Sequence, residues 1–172
     1  MNILYVTTFN KVLYEKTGKR LLDTYLNKIT IGDFLVCYED FDYHNDSDKI
    51  IKYNLKNDKY MNDWLENNKN IIPKMYGGDA DDDSDIFIDK NVDPIAGEKG
   101  QYWAKIRASR YFRKIVALNY AVNNYSEKYD YIFFIDSDCI FKKDFDYDLI
   151  NKLFTDNVSM VYLWGKYRRI IN

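Results

Sequence analysis

Short, continuous apolar runs alternate along the chain with longer stretches in which apolar residues recur at helical spacing. The runs are rich in Ile, Val and aromatic residues, which is typical of strands buried on both faces of a sheet. The clearest runs cover residues 2–6, 33–42 and 131–135. The stretches with helical spacing cover residues 13–28, 59–69 and 101–125. This alternation predicts an α/β fold of Rossmann-like type, with a mostly parallel central sheet and flanking helices.

Weaker patterns predict further elements between and after these. Residues 50–55 and 158–163 resemble short strands, and residues 149–154 a short helix, while Gly18 favours a helix that starts only after it. No repeat or low-complexity linker divides the chain, and 172 residues suit one domain with a full core. We therefore predict a single domain over residues 1–172.

Composition and charge exclude several classes of protein. Hydrophobic residues make up 47% and aromatic residues 17% of the chain, so disorder is not expected. The net charge of −2 provides no basic excess to neutralise the phosphates of a nucleic acid. No stretch approaches the ~20 apolar residues of a membrane span, and no basic leader precedes the first strand, so we expect a cytoplasmic protein. Cys37 and Cys139 both fall in predicted strands and are expected to be buried free thiols.

Two aspartates follow the last of the clear apolar runs. Asp136, Ser137 and Asp138 come at the end of the predicted strand, and ligands of open α/β sheets bind beyond the carboxyl ends of strands. Buried carboxylates must be paired, protonated or bound to a cation. Hard oxygen ligands of this kind suit Mn²⁺ or Mg²⁺, with substrate phosphates completing the coordination. The alternative is an ordinary turn, in which Asp and Ser are favoured residues.

Polar residues also follow the two earlier strands. Thr7, Thr8 and Phe9 follow the first strand and suit a nucleotide pocket, although a capping loop is the alternative. Glu39 or Asp40 could accept hydrogen bonds from a base or ribose, but a solvated strand end is the safer interpretation. The one histidine of the chain, His44, falls in a polar loop, where a histidine is usually a surface residue. We therefore expect neither Ser-His-Asp chemistry nor a histidine-cluster metal site.

The longest predicted helix concentrates positive charge in its first half. Lys105 and Ser109 lie four residues apart, so they share a helix face. The basic residues of this half are Lys105, Arg107, Arg110, Arg113 and Lys114. The alternative for Lys105 is an exposed lysine on an amphipathic helix.

Together these features resemble the GT-A fold of nucleotide-sugar-dependent glycosyltransferases, whose DXD motif binds a divalent cation on the donor diphosphate. The motif here is Asp136-Ser137-Asp138. Residues 103–106, Trp-Ala-Lys-Ile, followed by the aromatic strand and Asp-Ser-Asp-Cys-Ile-Phe, are similar to the galactosyl- and xylosyltransferase family of yeast mannan and plant xyloglucan synthesis. The resemblance covers residues 103–141 closely and residues 2–42 in general layout.

The resemblance implies a hexosyl- or pentosyltransferase that uses a nucleotide diphosphate sugar, with UDP as the expected nucleotide, and a glycan or protein acceptor. It implies Mn²⁺ or Mg²⁺ held by Asp136 and Asp138. The implied donor contacts are Thr7, Thr8, Phe9, Lys105, Ser109, Asp136, Ser137 and Asp138.

GT-A enzymes continue past the DXD strand into a half that binds the acceptor, and we expect that half to be short or missing here. A non-catalytic nucleotide-sugar-binding module, or the donor-binding half of a larger enzyme, is therefore the main alternative. A phosphatase-like or receiver-like domain is a weaker one, because those folds place acids after the first strand, where this chain has Thr7 and Thr8. The sequence identifies no catalytic base or nucleophile.

Overall fold

A parallel sheet forms the centre of the part of the chain that the structure describes. The computed structural model describes residues 2–39, 41–68 and 97–144 and residues 147, 148 and 152, with the backbone alone for residues 97–110. Four strands pair in the order β3-β2-β1-β4, and every neighbouring pair is parallel. They are β1 (Ile3–Phe9), β2 (Asp33–Tyr38), β3 (Ile50–Asn54) and β4 (Tyr131–Phe134). The predicted α/β class with a parallel sheet and flanking helices is confirmed.

Helices connect β1 to β2 and β3 to β4, whereas no helix lies in the described residues between β2 and β3. The helices are α1 (Lys11–Leu13), α2 (Lys19–Lys28), α3 (Lys59–Asn68) and α4 (Gly97–Tyr125), with a π-helical segment at Tyr14–Gly18 and a 3₁₀ turn at Leu55–Asn57. The three predicted helices are therefore present. The first begins before Gly18, at Lys11, where the side chain of Asn10 accepts a hydrogen bond of 2.8 Å from the Leu13 amide. This cap starts the helix early, and the π-helical segment carries it past the glycine.

Different helices pack on the two faces of the sheet. Successive side chains of β1 point to opposite faces, so they contribute to two separate clusters. Ile3, Tyr5 and Phe9 point to one side, where they pack with Leu21, Leu22 and Tyr25 of α2. Leu4 and Val6 point to the other side, where they pack with residues of α3 and α4. The α4 residues in that cluster are Phe112, Val116, Ala117 and Ala121. Small residues at 117 and 121 let α4 lie close to the sheet, directly over β1.

A glycine permits the turn into β2. Gly32 has a φ of +98°, and a Cβ at this position would lie 2.3 Å from the Ile3 carbonyl oxygen. The Tyr25 hydroxyl donates a 2.8 Å hydrogen bond to the Gly32 carbonyl and fixes the turn against α2. A side chain at residue 32 would therefore force β1 and β2 apart.

Several predicted boundaries are wrong in ways that affect the site. Thr7 and Thr8 lie inside β1, because the β1 ladder with β2 continues to the Phe9–Tyr38 pair. Of the β4 residues, Phe133 is buried and the others are half-buried, since β4 has a partner on one side only in the described sheet. Cys139 lies in an exposed turn after β4 and not in a strand, whereas Cys37 is a buried free thiol as predicted.

Other predictions fall outside the described residues. These are the helix at residues 149–154 and the strand at residues 158–163. The single domain over residues 1–172 stays a prediction. Within the described part of the chain, no helix has the length and apolar character that a bilayer crossing requires.

Candidate functional site

The carboxyl ends of all four strands meet at one edge of the sheet, because every strand is parallel. The chain runs from β1 outward through β2 to β3 and then returns to place β4 on the other side of β1. The strand order therefore reverses between β1 and β4. In open α/β sheets such a reversal leaves a crevice beyond the strand ends, and ligands bind there.

A tight turn at this crevice carries Asp136, Ser137 and Asp138. The Ile135 amide donates a 2.8 Å hydrogen bond to the Val6 carbonyl, which extends the β4 ladder one residue past the strand. The Cys139 amide then donates a 3.0 Å hydrogen bond to the Asp136 carbonyl and closes the turn. Both carboxylates are exposed, and Ser137 between them is half-buried. The turn thus presents two carboxylates to solvent beside the crevice.

Lys114 of α4 forms an ion pair with the Asp136 carboxylate. Its ammonium nitrogen also lies 5.4 Å from the centre of the Phe134 ring and 5.5 Å from the centre of the Tyr111 ring. A cation over an aromatic face is attracted by the negative charge of that face. Lys114 is therefore held by one carboxylate and two rings.

A second ion pair joins α4 to the end of β2. The Arg113 Nε atom lies 2.5 Å from the Glu39 Oε1 atom, and the two side chains expose only 11% and 10% of their surface. The Glu39 amide also donates a 3.3 Å hydrogen bond to the Phe9 carbonyl, which ties this residue to the end of β1. The expectation of a solvated strand end is wrong for Glu39, because α4 covers it and supplies a counter-charge.

The two ion pairs lie on either side of β1. Glu39 and Asp136 follow β2 and β4, which are separated by two strand spacings, or about 10 Å. Arg113 and Lys114 are adjacent on α4 and point about 100° apart, so one reaches each strand end. Thr8 lies between them, since its position in β1 places it on the same face as Leu4 and Val6. Its side chain is half-exposed.

Two other predicted donor contacts lie in the interior. Thr7 is fully buried on the α2 side of the sheet, and Phe9 packs among aromatic rings on that side with only 2% of its surface exposed. Their ring and hydroxyl groups thus lie away from the two ion pairs. Contacts from these two side chains to a donor stay a prediction, which the described conformation does not favour.

For Lys105 and Ser109, the two predicted donor contacts on α4, the structure describes the backbone only. Lys105 and Ser109 belong to the helix, but their side chains lie outside the described residues. Lys105 precedes Lys114 by nine residues, which corresponds to about 13 Å along the helix axis. Lys114 is thus the lysine that the described structure places at Asp136.

The carboxylates suit a divalent ion that is shared with a substrate. Among the described residues, no three His, Cys, Asp or Glu side chains converge on one point. That part of the chain therefore has no metal site formed by protein ligands alone. Mg²⁺ is commonly bound by one or two carboxylates, with water and substrate phosphates as the other ligands. Asp136 and Asp138 fit this second arrangement.

The turn also carries the Cys139 thiol, whose reactivity depends on the charged side chains around it. Partial burial raises the pKa of Cys139, and the Asp138 and Asp136 carboxylates raise it further, while Lys114 lowers it. Burial raises the pKa of Cys37 much more strongly. The thiolate is the reactive form, so a raised pKa slows alkylation near neutral pH and makes the rate increase as the pH rises.

We expect iodoacetamide to label Cys139 alone in the native protein, more slowly than a free cysteine, and both cysteines in urea. Replacing Asp138 by asparagine should accelerate the labelling, because it removes the nearer negative charge. Mass spectrometry of Cys139→Ser supplies the control, with no label in the native state and one in urea. Native labelling of Cys37 would contradict the buried position of that thiol.

Comparison with known families agrees with this geometry. The family model for glycosyl transferase family 2 matches residues 80–170, just over half of the chain. The chain therefore belongs to glycosyl transferase family 2, and it is a glycosyltransferase domain of GT-A type that uses a nucleotide-sugar donor. No curated protein and no solved structure shows significant similarity to it. The matched residues include α4, β4 and the Asp136 turn, and the structure adds β1, β2 and β3 to the same sheet.

Sequence reasoning missed the roles of Arg113 and Lys114. Both were visible as part of the basic half of the long helix, but the pattern does not tell which of its cations meets which strand end. That depends on where α4 crosses β1, and the crossing point is set by Ala117 and Ala121 in the core. The buried state of Glu39 depends on the same crossing.

Proposed function

We propose that the chain is a metal-dependent glycosyltransferase that transfers a hexose or pentose from a UDP-linked donor to a glycan or protein acceptor. The observation that carries the proposal is the position of Asp136 and Asp138, which lie at the carboxyl end of β4 beside the reversal of strand order. The similarity of residues 103–141 to the galactosyl- and xylosyltransferases supports a UDP-linked donor and these classes of sugar.

Asp138 is proposed as the direct ligand of Mn²⁺ or Mg²⁺, with Asp136 as a second ligand or a partner through water. Asp138 is exposed and has no hydrogen-bond or ion-pair partner among the described residues, so its carboxylate is available to a cation. A bound divalent ion would neutralise the charge that develops on the departing diphosphate. Ser137 lies between the two proposed ligands in the turn.

Glu39 is proposed to accept hydrogen bonds from the base or ribose, at the β2 end of the crevice. Arg113 pairs with one oxygen of its carboxylate and holds the group at the end of β2. Thr8 lies between this position and the Asp136 turn, where its hydroxyl suits a ribose or phosphate oxygen. The nucleotide would therefore lie across the end of β1, with its base toward β2 and its diphosphate toward β4.

Calorimetric titration of UDP into the protein tests this proposal. We expect binding with a Kd in the micromolar range in Mn²⁺ and none in EDTA, because the diphosphate requires the cation to approach two carboxylates. GDP should bind more weakly than UDP if the nucleotide is the one proposed. The absence of Mn²⁺-dependent binding for both nucleotides would overturn the assignment of the donor site.

A further inference from the structure

The ion pair between Lys114 and Asp136 occupies the place that the proposed function gives to a divalent ion. One Asp136 oxygen contacts the Lys114 ammonium, which is part of the crevice wall and only one-third exposed. The Phe134 and Tyr111 rings lie about equally far from that ammonium. Lys19 and Lys128 also pair with a carboxylate beside a ring, but their side chains are 53% and 60% exposed. The position is therefore a site for a cation, and the chain fills it with its own.

A second cation cannot join Lys114 at the same oxygen without strong repulsion, because like charges a few ångströms apart interact unfavourably near a protein surface. A divalent ion that binds this Asp136 oxygen must therefore displace the ammonium. The lysine side chain has a flexible four-carbon stem, so its charge can move by several ångströms while its backbone stays in α4. The metal and the lysine thus compete for one carboxylate.

We propose that Lys114 is the cation that Asp136 holds in the donor-free protein, and that the same lysine passes to the donor diphosphate when a divalent ion binds the carboxylate. This inference rests on the proposed function. A diphosphate that shares the ion with Asp136 has oxygens next to the carboxylate, within reach of the displaced ammonium. Lys114 then donates a charge-assisted hydrogen bond to the leaving group.

The exchange makes opposite predictions for the two ligands. Without nucleotide, Lys114 opposes metal binding, since the ion must break an ion pair and approach a positive charge. With metal and nucleotide both present, Lys114 favours binding, since it contacts the diphosphate. A residue that only stabilises the turn would change both affinities in the same direction or neither.

The test measures Mn²⁺ binding by electron paramagnetic resonance, and UDP binding by calorimetry at saturating Mn²⁺, in Lys114→Met. We expect Mn²⁺ alone to bind about 3- to 10-fold more tightly than in the wild type, since a competing ion pair is lost. We expect UDP to bind about 10-fold more weakly, since a charged hydrogen bond is lost. Lys114→Arg keeps the charge and should restore both values toward the wild type.

Lys128→Met is the matched control. Lys128 also pairs with an aspartate, Asp33, and lies 4.8 Å from the centre of an aromatic ring, that of Tyr129, but at the opposite edge of the sheet. It should change neither affinity. Weaker binding of both ligands by Lys114→Met, or no change in either, would overturn the exchange while leaving the donor site intact. A wild-type protein that binds no UDP would instead refute the proposed function, and the inference with it.

Discussion

Replacing Asp138 by asparagine is expected to abolish Mn²⁺-dependent UDP binding and to leave the fold unchanged. Asp138 is exposed and has no ion-pair or hydrogen-bond partner among the described residues, so its carboxylate contributes little to packing. The amide is nearly isosteric but lacks the negative charge that a hard divalent ion requires. We expect UDP affinity in Mn²⁺ to decrease by about 100-fold or more, toward the value in EDTA, since even the loss of a supporting contact costs metal sites 10–100-fold.

Calorimetry with UDP measures this effect, and thermal unfolding without metal shows whether the fold is retained. Asp23→Asn is the control, because Asp23 is an exposed carboxylate on α2, on the other face of the sheet. It should bind UDP as the wild type does. Unchanged Mn²⁺-dependent affinity in Asp138→Asn would show that the Asp136 turn is only a strand end, whatever the activity of the protein.

The sheet could be predicted from the sequence because its strands are encoded by local apolar runs. The order of the strands and the reversal between β1 and β4 were not predicted, because an apolar run does not encode which strand it pairs with. The end of β1 could not be predicted either. Thr7 and Thr8 look like a loop in isolation, but the ladder to Val36 and Cys37 keeps them in the strand. The pairing partner, and not the residue type, sets that boundary.

The candidate site, too, could be predicted only where its residues are close together in the sequence. The Asp136 turn was predictable because both of its carboxylates follow one strand in the sequence. The contacts of Glu39 with Arg113, and of Asp136 with Lys114, join residues that are far apart in the chain. They arise because α4 crosses β1 at a point that places Arg113 and Lys114 at the strand ends. A shift of α4 by one turn would give other residues to the same carboxylates, and the hydrophobic pattern of the helix would hardly change.

The buried ion pair leads to the largest expected effect on stability. In Arg113→Met, Glu39 keeps its charge in a position where only 10% of its side chain is exposed. Loss of the partner charge from a buried ion pair typically costs about 3–5 kcal/mol. We expect the free energy of unfolding, measured by urea denaturation, to decrease by about that amount. Methionine has a similar length and fills the space of the arginine stem, so the loss of charge dominates over the loss of packing.

The double variant Glu39→Gln/Arg113→Met separates the charge from the packing. It also removes the negative charge of Glu39, so it should recover most of the lost stability and be more stable than Arg113→Met. Lys19→Met is the control for an ordinary ion pair, because Lys19 and Glu15 contact each other at 2.6 Å but are about half exposed. It should cost much less than Arg113→Met, because solvent screens an exposed ion pair. If Arg113→Met cost no more than Lys19→Met, α4 would not seal the end of β2, and the position proposed for the base at Glu39 would lose its structural basis.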